Sequence, residues 1–258
     1  MLLGLFSGCA NKIDNSAYVP TGDAILMEGE DPEDIQQEEE EQELYLAYNP
    51  EHSLNPLFGS DYNNRVLMSL MYQPLFAVDN KKNPTPILCG RYRVSANQRN
   101  WFIYLDPNAK FSDGSKVTVE DVVASYTSAM EKDYYCNRFL MHLLSVEPTE
   151  DGGIQFALDT PMDNLPLLLD VPILKSTELE SPNPKGTGPY MFVNQLTGAY
   201  LQRNRTWWCS SPDLVVTAGS IPLKEAESAA QIRDQFEFSD VGVVCTNPFS
   251  DSYADYRC

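Results

Sequence analysis

Apolar residues between positions 101 and 130 first form a short continuous run and then recur at the spacing of a helix. Residues Trp101 to Leu105 are mostly aromatic or β-branched, types that favour a pleated, half-buried strand. Thr118 precedes Asp121 by three residues, as in a capping box, which predicts the start of a helix. The apolar residues of this helix share one face: Val119, Val122, Val123, Tyr126, Ala129 and Met130. The pattern predicts a strand packed beside a helix in an α/β layer.

Periodicity and turn residues predict further elements on both sides of this unit. Before it, we expect a strand at Leu44–Tyr48, a helix capped by Ser60 that ends near Tyr72, a strand at Leu75–Val78 and a hairpin of residues 91–95 and 101–105. After it, we expect a helix at Tyr134–Leu144, a hairpin of residues 146–148 and 153–158, a short helix at Leu165–Leu169, strands at Pro172–Lys175 and Tyr190–Asn194, a helix at Lys224–Phe236 and a strand at Asp240–Val244.

Composition separates an acidic segment from a globular body. The chain has 258 residues, 43% of them hydrophobic, and a formal net charge of −19. Such a charge argues against a nucleic-acid partner, because phosphates bind Lys and Arg. Ten acidic and no basic residues lie between Glu28 and Glu43, so residues 10–43 are expected to form a disordered acidic linker.

The first nine residues are short, apolar and end in small residues before Cys9. This pattern resembles a lipobox, in which the cysteine is acylated and anchors the protein to a membrane. Residues 1–9 are therefore expected to be a signal-peptide remnant, with Cys9 as the lipidation site. The alternative is an ordinary apolar N-terminus with a chance cysteine.

Five motifs occur in a fixed order along the body. They are L-N-P-L at 54–57, Y-Q-P-L at 72–75, F-S-D-G-x-x-V-T-x-E-D-V at 111–122, G-T-G-P-Y at 186–190 and R-N-x-x-W-W at 203–208. The ordered set resembles the bacterial extracellular solute-binding proteins of family 5, the oligopeptide, dipeptide and nickel-binding lipoproteins of ABC importers. The resemblance covers about residues 44–245.

This resemblance implies an α/β fold like that of type II periplasmic binding proteins. Residues 44–245 would form lobe I, a mixed β-sheet with flanking helices, and residues 246–258 an irregular tail. Because the family's chains are much longer, the second lobe is expected to be largely absent. The implied function is the extracytoplasmic substrate-binding component of an ABC importer for peptides, truncated to lobe I. Its partners would be a peptide or other small solute, ABC permease subunits and the membrane. The alternative is a degenerate lipoprotein fragment that acts as an interaction or structural protein without transport.

By the same resemblance, the solute would lie beside the loop after L-N-P-L and the start of the next helix. This points to Ser60, Asp61 and Tyr62, and more weakly to Tyr134 and Tyr135. The alternative is that these are ordinary cap and surface residues.

The residue types that carry catalysis or hold metals occur without a recognisable pattern. The six cysteines are scattered without a CxxC motif, and the two histidines, His52 and His142, belong to no Ser–His–acid spacing. No metal, no cofactor and no enzymatic activity are expected. The cysteines are expected to be buried and free, or to form one or two bridges if the protein is exported.

Overall fold

Ten strands and three α-helices are seen in the part of the chain that the computed structural model describes, residues 44–58, 61–132, 142–209, 216–238 and 240–244. The strands are β1 (Leu46–Tyr48), β2 (Phe76–Val78), β3 (Pro84–Pro86), β4 (Cys89–Val94), β5 (Asn100–Leu105), β6 (Leu143–Pro148), β7 (Ile154–Leu158), β8 (Tyr190–Gln195), β9 (Gly198–Arg203) and β10 (Ser220–Glu225). The helices are α1 (Tyr62–Met71), α2 (Val119–Met130) and α3 (Ala229–Glu237). Short 3₁₀ helices cover Leu165–Leu168 and Ser176–Glu178.

The first sheet joins the two ends of the described chain. Its strand order is β1-β10-β9-β8, with β1 parallel to β10 and the other pairs antiparallel. Alternate residues of β9 and β10 are buried, namely Ala199, Leu201, Ile221 and Leu223. A period of two is what a sheet with one covered face requires.

The second sheet is antiparallel, in the order β4-β5-β7-β6, and β2 and β3 form a separate hairpin. Alternate residues of β7 face the core, where the rings of Phe156 and of Tyr126 in α2 meet edge to face with 4.9 Å between centroids. Both sheets contribute to one continuous hydrophobic core. The strand and helix predicted for residues 101–130 are present, and α2 packs mainly against β6 and β7 of the sheet that contains β5.

The start of α2 has the predicted capping box. The Thr118 hydroxyl accepts the Asp121 N–H at 3.3 Å, and the Asp121 carboxylate accepts the Thr118 N–H at 2.9 Å. The second Asp121 oxygen accepts the Ser176 N–H at 2.8 Å, so this carboxylate also holds a distant loop. Asp121 is 4% exposed, and hydrogen bonds to both of its carboxylate oxygens offset the cost of burying the charge.

Two predictions near the C-terminus need correction. The helix predicted at Lys224–Phe236 is present, but it begins at Ala229 after the Ser228 cap, and residues 224 and 225 end strand β10. These two residues belong to the strand because β1 pairs with them, Ala47 with Lys224 and Tyr48 with Glu225. Residues 240–244 form no strand, since only Val243 makes an isolated bridge to Leu46.

Three further predictions need correction. The predicted strand 172–175 is a buried extended segment with one bridge, from Pro172 to Pro74, because the Leu174 N–H bonds the Ser125 hydroxyl of α2 instead of a neighbouring strand. The predicted helix at 165–169 is a 3₁₀ helix. The predicted helix 134–144 does not reach residues 143 and 144, which begin β6, and its residues 134–141 lie outside the described part.

Several predicted segments lie outside the described residues: the lipobox, the acidic linker and the tail at 246–258. Within the described ranges, none of the helices has the length and apolar character needed to cross a membrane.

Candidate functional site

The carboxyl ends of β1 and β10 meet at one edge of the first sheet, because these strands are parallel. In open α/β sheets, ligands bind beyond the carboxyl ends of strands. After β1 the chain forms a loop and then enters α1. We call the loop residues 49–58 and the first helical turn, residues 61–64, the β1–α1 junction. All the predicted site residues that the structure describes lie in this junction.

A buried hydrogen-bond network holds the junction together. The Asn64 amide accepts the Asn49 N–H at 2.9 Å and donates to the carbonyls of Asn49 at 2.9 Å and His52 at 3.2 Å. The Asn49 side chain donates to the Asp61 carboxylate at 3.3 Å. The turn after β1 and the start of α1 are thus held in one arrangement, as a preformed site requires.

Asp61, rather than the predicted Ser60, is the N-cap of α1. One carboxylate oxygen of Asp61 accepts the N–H groups of Asn63 and Asn64, both at 2.9 Å. The capping role that sequence analysis left open as the alternative is therefore present. The carboxylate also places negative charge at the positive end of the helix dipole.

Tyr62 is half-buried, and the Arg65 guanidinium lies 4.8 Å from its ring centre. A cation over an aromatic face is attracted to the ring. This contact orients an aromatic side chain beside the Asp61 carboxylate at the rim of the junction.

The side chain of Asn63 is buried without a hydrogen bond, unlike that of its neighbour Asn64. It is 2% exposed, yet neither its amide oxygen nor its amide nitrogen has a hydrogen-bond partner among the described residues. Each buried polar atom without a partner costs roughly 1–3 kcal/mol. The amide is therefore an unsatisfied donor and acceptor pair that is enclosed by protein atoms at the first turn of α1. Sequence analysis missed Asn63, because nothing in the sequence distinguishes it from Asn64.

The end of α2 reaches the same junction. Lys132 Nζ lies 4.0 Å from the centre of the Phe58 ring, which is 41% exposed. This contact places a cation and an exposed aromatic ring on the rim. Lys132 directly precedes the segment that contains Tyr134 and Tyr135, but these two tyrosines and Ser60 lie outside the described residues.

The last residues of β1 and β10 contribute a phenol and a carboxylate to this edge. Burial, and then the nearby Glu225 carboxylate, raise the pKa of Tyr48 above its ordinary value. The hydroxyl therefore stays neutral at physiological pH. The junction as a whole offers neutral polar groups, the aromatic rings of Tyr48, Phe58 and Tyr62, and charges of both signs, a composition suited to binding.

The L-N-P-L motif has a structural role. The Asn55 side chain is fully buried and donates to the carbonyls of Leu179 and Ser181, each at 2.8 Å. Its oxygen accepts the Leu57 N–H at 2.9 Å. Asn55 of the motif thus connects the junction loop to the segment around residue 180 by two hydrogen bonds.

G-T-G-P-Y and R-N-x-x-W-W meet at the other end of α1. A Cβ on Gly188 would lie 2.5 Å from the Leu70 carbonyl oxygen, and one on Gly186 would overlap the Met71 carbonyl. Both indole N–H groups of the Trp pair donate to the Thr187 carbonyl at 3.0 Å. These motifs are explained by close packing around the helix end, away from the junction.

Groups for catalysis or metal binding are not assembled in the described ranges. No three His, Cys, Asp or Glu side chains there could hold a metal ion. His142 Nδ1 lies 3.1 Å from Asp159, on the surface. The thiol of Cys89 is free and buried, and burial raises its pKa to about 12.

Sequence comparison relates the chain to binding proteins of bacterial transporters. The family model described as Bacterial extracellular solute-binding proteins, family 5 Middle, matches residues 83–241. The chain is 28% identical over 207 residues to the oligopeptide-binding protein AppA of Bacillus subtilis, covering 72% of this chain and 38% of that protein. It is 25% identical over 169 residues to the glutathione-binding protein GsiB of Pectobacterium atrosepticum, covering 60% of this chain and 33% of that protein. The chain therefore spans little more than a third of the relatives it matches.

Structure comparison also matches the chain to less than half of each related protein. NikZ from Campylobacter jejuni, in complex with Ni(L-His), matches with a TM-score of 0.61 and 20% identity over 78% of this chain and 42% of that one. AppA from Bacillus subtilis, in complex with a nonapeptide, matches with a TM-score of 0.61 and 23% identity over 77% of this chain and 43% of that one. At these identities the likeness concerns the fold.

Proposed function

Since this chain belongs to the bacterial extracellular solute-binding proteins of family 5, we propose that it is part of the substrate-binding component of an ABC importer for peptides. The family match over residues 83–241 carries the proposal. The fold is that of part of a lobe of a type II periplasmic binding protein, as the coverage of 42% of the NikZ chain indicates. The protein acts outside the cytoplasm and delivers its solute to permease subunits without making or breaking a bond.

The chemistry of the β1–α1 junction supports a peptide as the solute. A peptide backbone offers alternating N–H donors and C=O acceptors, and the Asn63 amide has one unpartnered donor group and one unpartnered acceptor. The exposed ring of Phe58 suits an apolar side chain, while Lys132 suits a carboxylate. The names of two relatives, an oligopeptide-binding and a glutathione-binding protein, agree with this class of solute.

In this proposal the junction provides one wall of the solute site, and a second lobe closes over it. Hinge closure of two lobes around a ligand is how such proteins sequester a small solute. Ser60, Tyr134 and Tyr135 remain proposed as further contacts on this wall, beside Asp61 and Tyr62. The segment before Leu44 is proposed to hold the protein at the membrane through an acylated Cys9.

The lipid anchor has its own test. Cells grown with an alkyne-labelled fatty acid should incorporate the label into the wild-type protein and not into Cys9→Ser. Cys89→Ser, which changes a buried thiol instead, is the matched control and should be labelled normally. Equal labelling of wild type and Cys9→Ser contradicts the anchor.

The solute class is tested by calorimetric titration of the complete gene product, with any coding sequence beyond Cys258, against libraries of di-, tri- and oligopeptides. We expect saturable binding that Asn63→Leu weakens about tenfold or more, because a buried hydrogen bond to the solute is lost. Asn80→Leu makes the same chemical change in an exposed turn and should leave affinity unchanged. If no peptide binds, the peptide assignment is wrong, and nickel chelates and sugars become the next probes.

A further inference from the structure

The opposite end of the first sheet carries a polar cavity of about 550 Å³. It lies where β9 ends and β10 begins, and it is lined by Tyr200, Gln202, Arg203, Arg205, Gly219 and Ser220. β10 runs from Ser220 at this cavity to Glu225 at the β1–α1 junction, five residue steps or roughly 17 Å away. The cavity is therefore separate from the proposed solute site.

The charge of the cavity is opposite to that of the chain. The protein has 37 acidic and 18 Lys and Arg residues, yet the lining contains two arginines and no carboxylate. Neither Arg203 nor Arg205 takes part in an ion pair within the described ranges, where the ion pairs join other residues. Two guanidinium groups in one concave surface form a local positive potential that favours an anion.

The backbone that carries both arginines is fixed by hydrogen bonds. The Arg203 N–H donates to the Gly219 carbonyl at 3.0 Å, and the Asn204 N–H donates to the Pro189 carbonyl at 2.7 Å. Asn204 is buried, and its amide oxygen accepts the N–H and the hydroxyl of Thr206, both at 3.1 Å. A turn held in this way fixes the backbone from which Arg203 and Arg205, both exposed, line the cavity.

From this arrangement we propose that the cavity binds a phosphate group. A guanidinium presents a planar fork of N–H donors that pairs with two phosphate oxygens, and the doubly charged form of a phosphate is neutralised by two such forks. The hydroxyls of Tyr200 and Ser220 are further donors in the lining. The volume also leaves room for an attached glycerol, so the group is either a free phosphate compound or the headgroup of an anionic lipid.

The experiment has two arms that separate these sources. Inorganic phosphate and glycerol phosphate are titrated against the protein and followed by phosphorus NMR. Flotation with vesicles of phosphatidylglycerol, and of phosphatidylcholine as the neutral reference, tests the lipid source on protein with Cys9 replaced by serine, so that no acyl chain contributes. Binding of soluble phosphate alone assigns a free compound, and retention on phosphatidylglycerol vesicles assigns a headgroup.

In either arm the variant Arg203→Ala/Arg205→Ala should weaken binding about tenfold or more, since a charge-assisted hydrogen bond is worth a factor of roughly 10 to 100. Arg99→Ala/Lys110→Ala removes the same charge from exposed positions elsewhere and should bind like wild type. Arg205→Lys keeps the charge but loses the fork, so it should weaken binding even if the double variant folds poorly. Absence of binding by the wild-type protein in both arms, or equal loss in the Arg99/Lys110 control, overturns the proposal.

Discussion

Replacing Asn63 with leucine is predicted to stabilise the fold while it weakens solute binding. Asparagine in this position is 2% exposed, and its two amide atoms have no partner in the described residues. Leucine branches at the same carbon and has no polar atoms to desolvate. A group that improves stability when it is removed, and impairs function, is one that the ligand satisfies.

The expected gain in the free energy of unfolding follows from the two unpartnered amide atoms of Asn63. Each costs roughly 1–3 kcal/mol, so their removal contributes about 2 kcal/mol at the lower end of the range. Fitting the two methyl groups of leucine costs about 1 kcal/mol in a packed interior. The net gain is about 1 kcal/mol, which raises the melting temperature by about 2–4 °C for a body of this size.

The neighbouring asparagine provides the control. Asn64→Leu is the same substitution one residue later, at a fully buried position. It removes three hydrogen bonds. The N–H of Asn49 and the carbonyl of His52 lose the partner they had in Asn64, and the carbonyl of Asn49 keeps only the 3.4 Å bond from the His52 N–H. We expect a loss of about 3 kcal/mol or more.

Both variants are compared with wild type by urea and thermal unfolding, followed by tryptophan fluorescence. Trp101, 4% exposed in the core, reports the loss of tertiary structure. If Asn63→Leu destabilises the protein as much as Asn64→Leu does, the Asn63 amide has partners in solution. The Asn63 amide would then not be a solute-binding group, and the proposal for this residue would be wrong.

Three further predictions concern the scaffold. Gly188→Ala should lower the free energy of unfolding, measured in urea, by about 3 kcal/mol, because the new Cβ would lie 2.5 Å from a backbone oxygen. Gly219→Ala is the control: its Cβ would enter open space, so this variant should unfold like wild type. Partial burial acts to raise the pKa of Asp113, but hydrogen bonds from Lys175 and Ser115 outweigh it and lower that pKa to about 2 from 3.8. The associated stability is complete above pH 4 and is lost as the pH falls towards 2; Asp113→Asn should remove this dependence in acid unfolding curves, and an unchanged curve would contradict it. Burial raises the pKa of the Cys89 thiol to about 12, so mass spectrometry should find it unalkylated at pH 8 until urea is added, and rapid native alkylation would refute its burial.

Local signals predicted the α2 region well. The capping box of Thr118 and Asp121 and the helix from Val119 to Met130 depend on residues within a few positions of one another, and both are present. The hairpin of β4 and β5 also follows from strand composition and a short connecting turn. Interactions between near neighbours are encoded in a short stretch, so a short stretch predicts them.

Predictions failed where a distant partner decides the structure. Residues 220–225 form a strand between β1 and β9. Segment 172–175 is extended but is not a strand, because the Leu174 N–H donates to the Ser125 hydroxyl. The candidate site shows the same limit. Asp61 and Tyr62 were proposed as site residues by resemblance, whereas the capping role of Asp61 became visible only in the geometry.

What the sequence determined by itself is the family and local features such as the capping box of α2 and the β4–β5 hairpin, because motifs and hydrophobic periods are properties of neighbouring residues. Only the tertiary structure decided which polar side chains are satisfied. Asn63 and Asn64 are adjacent and chemically identical, yet Asn64 makes three hydrogen bonds and Asn63 makes none with its side chain in the described part of the protein. The difference arises from what lies across from each side chain, and the loop after β1 faces only Asn64. The same reason brought Arg203 and Arg205 together with the start of β10 in one cavity.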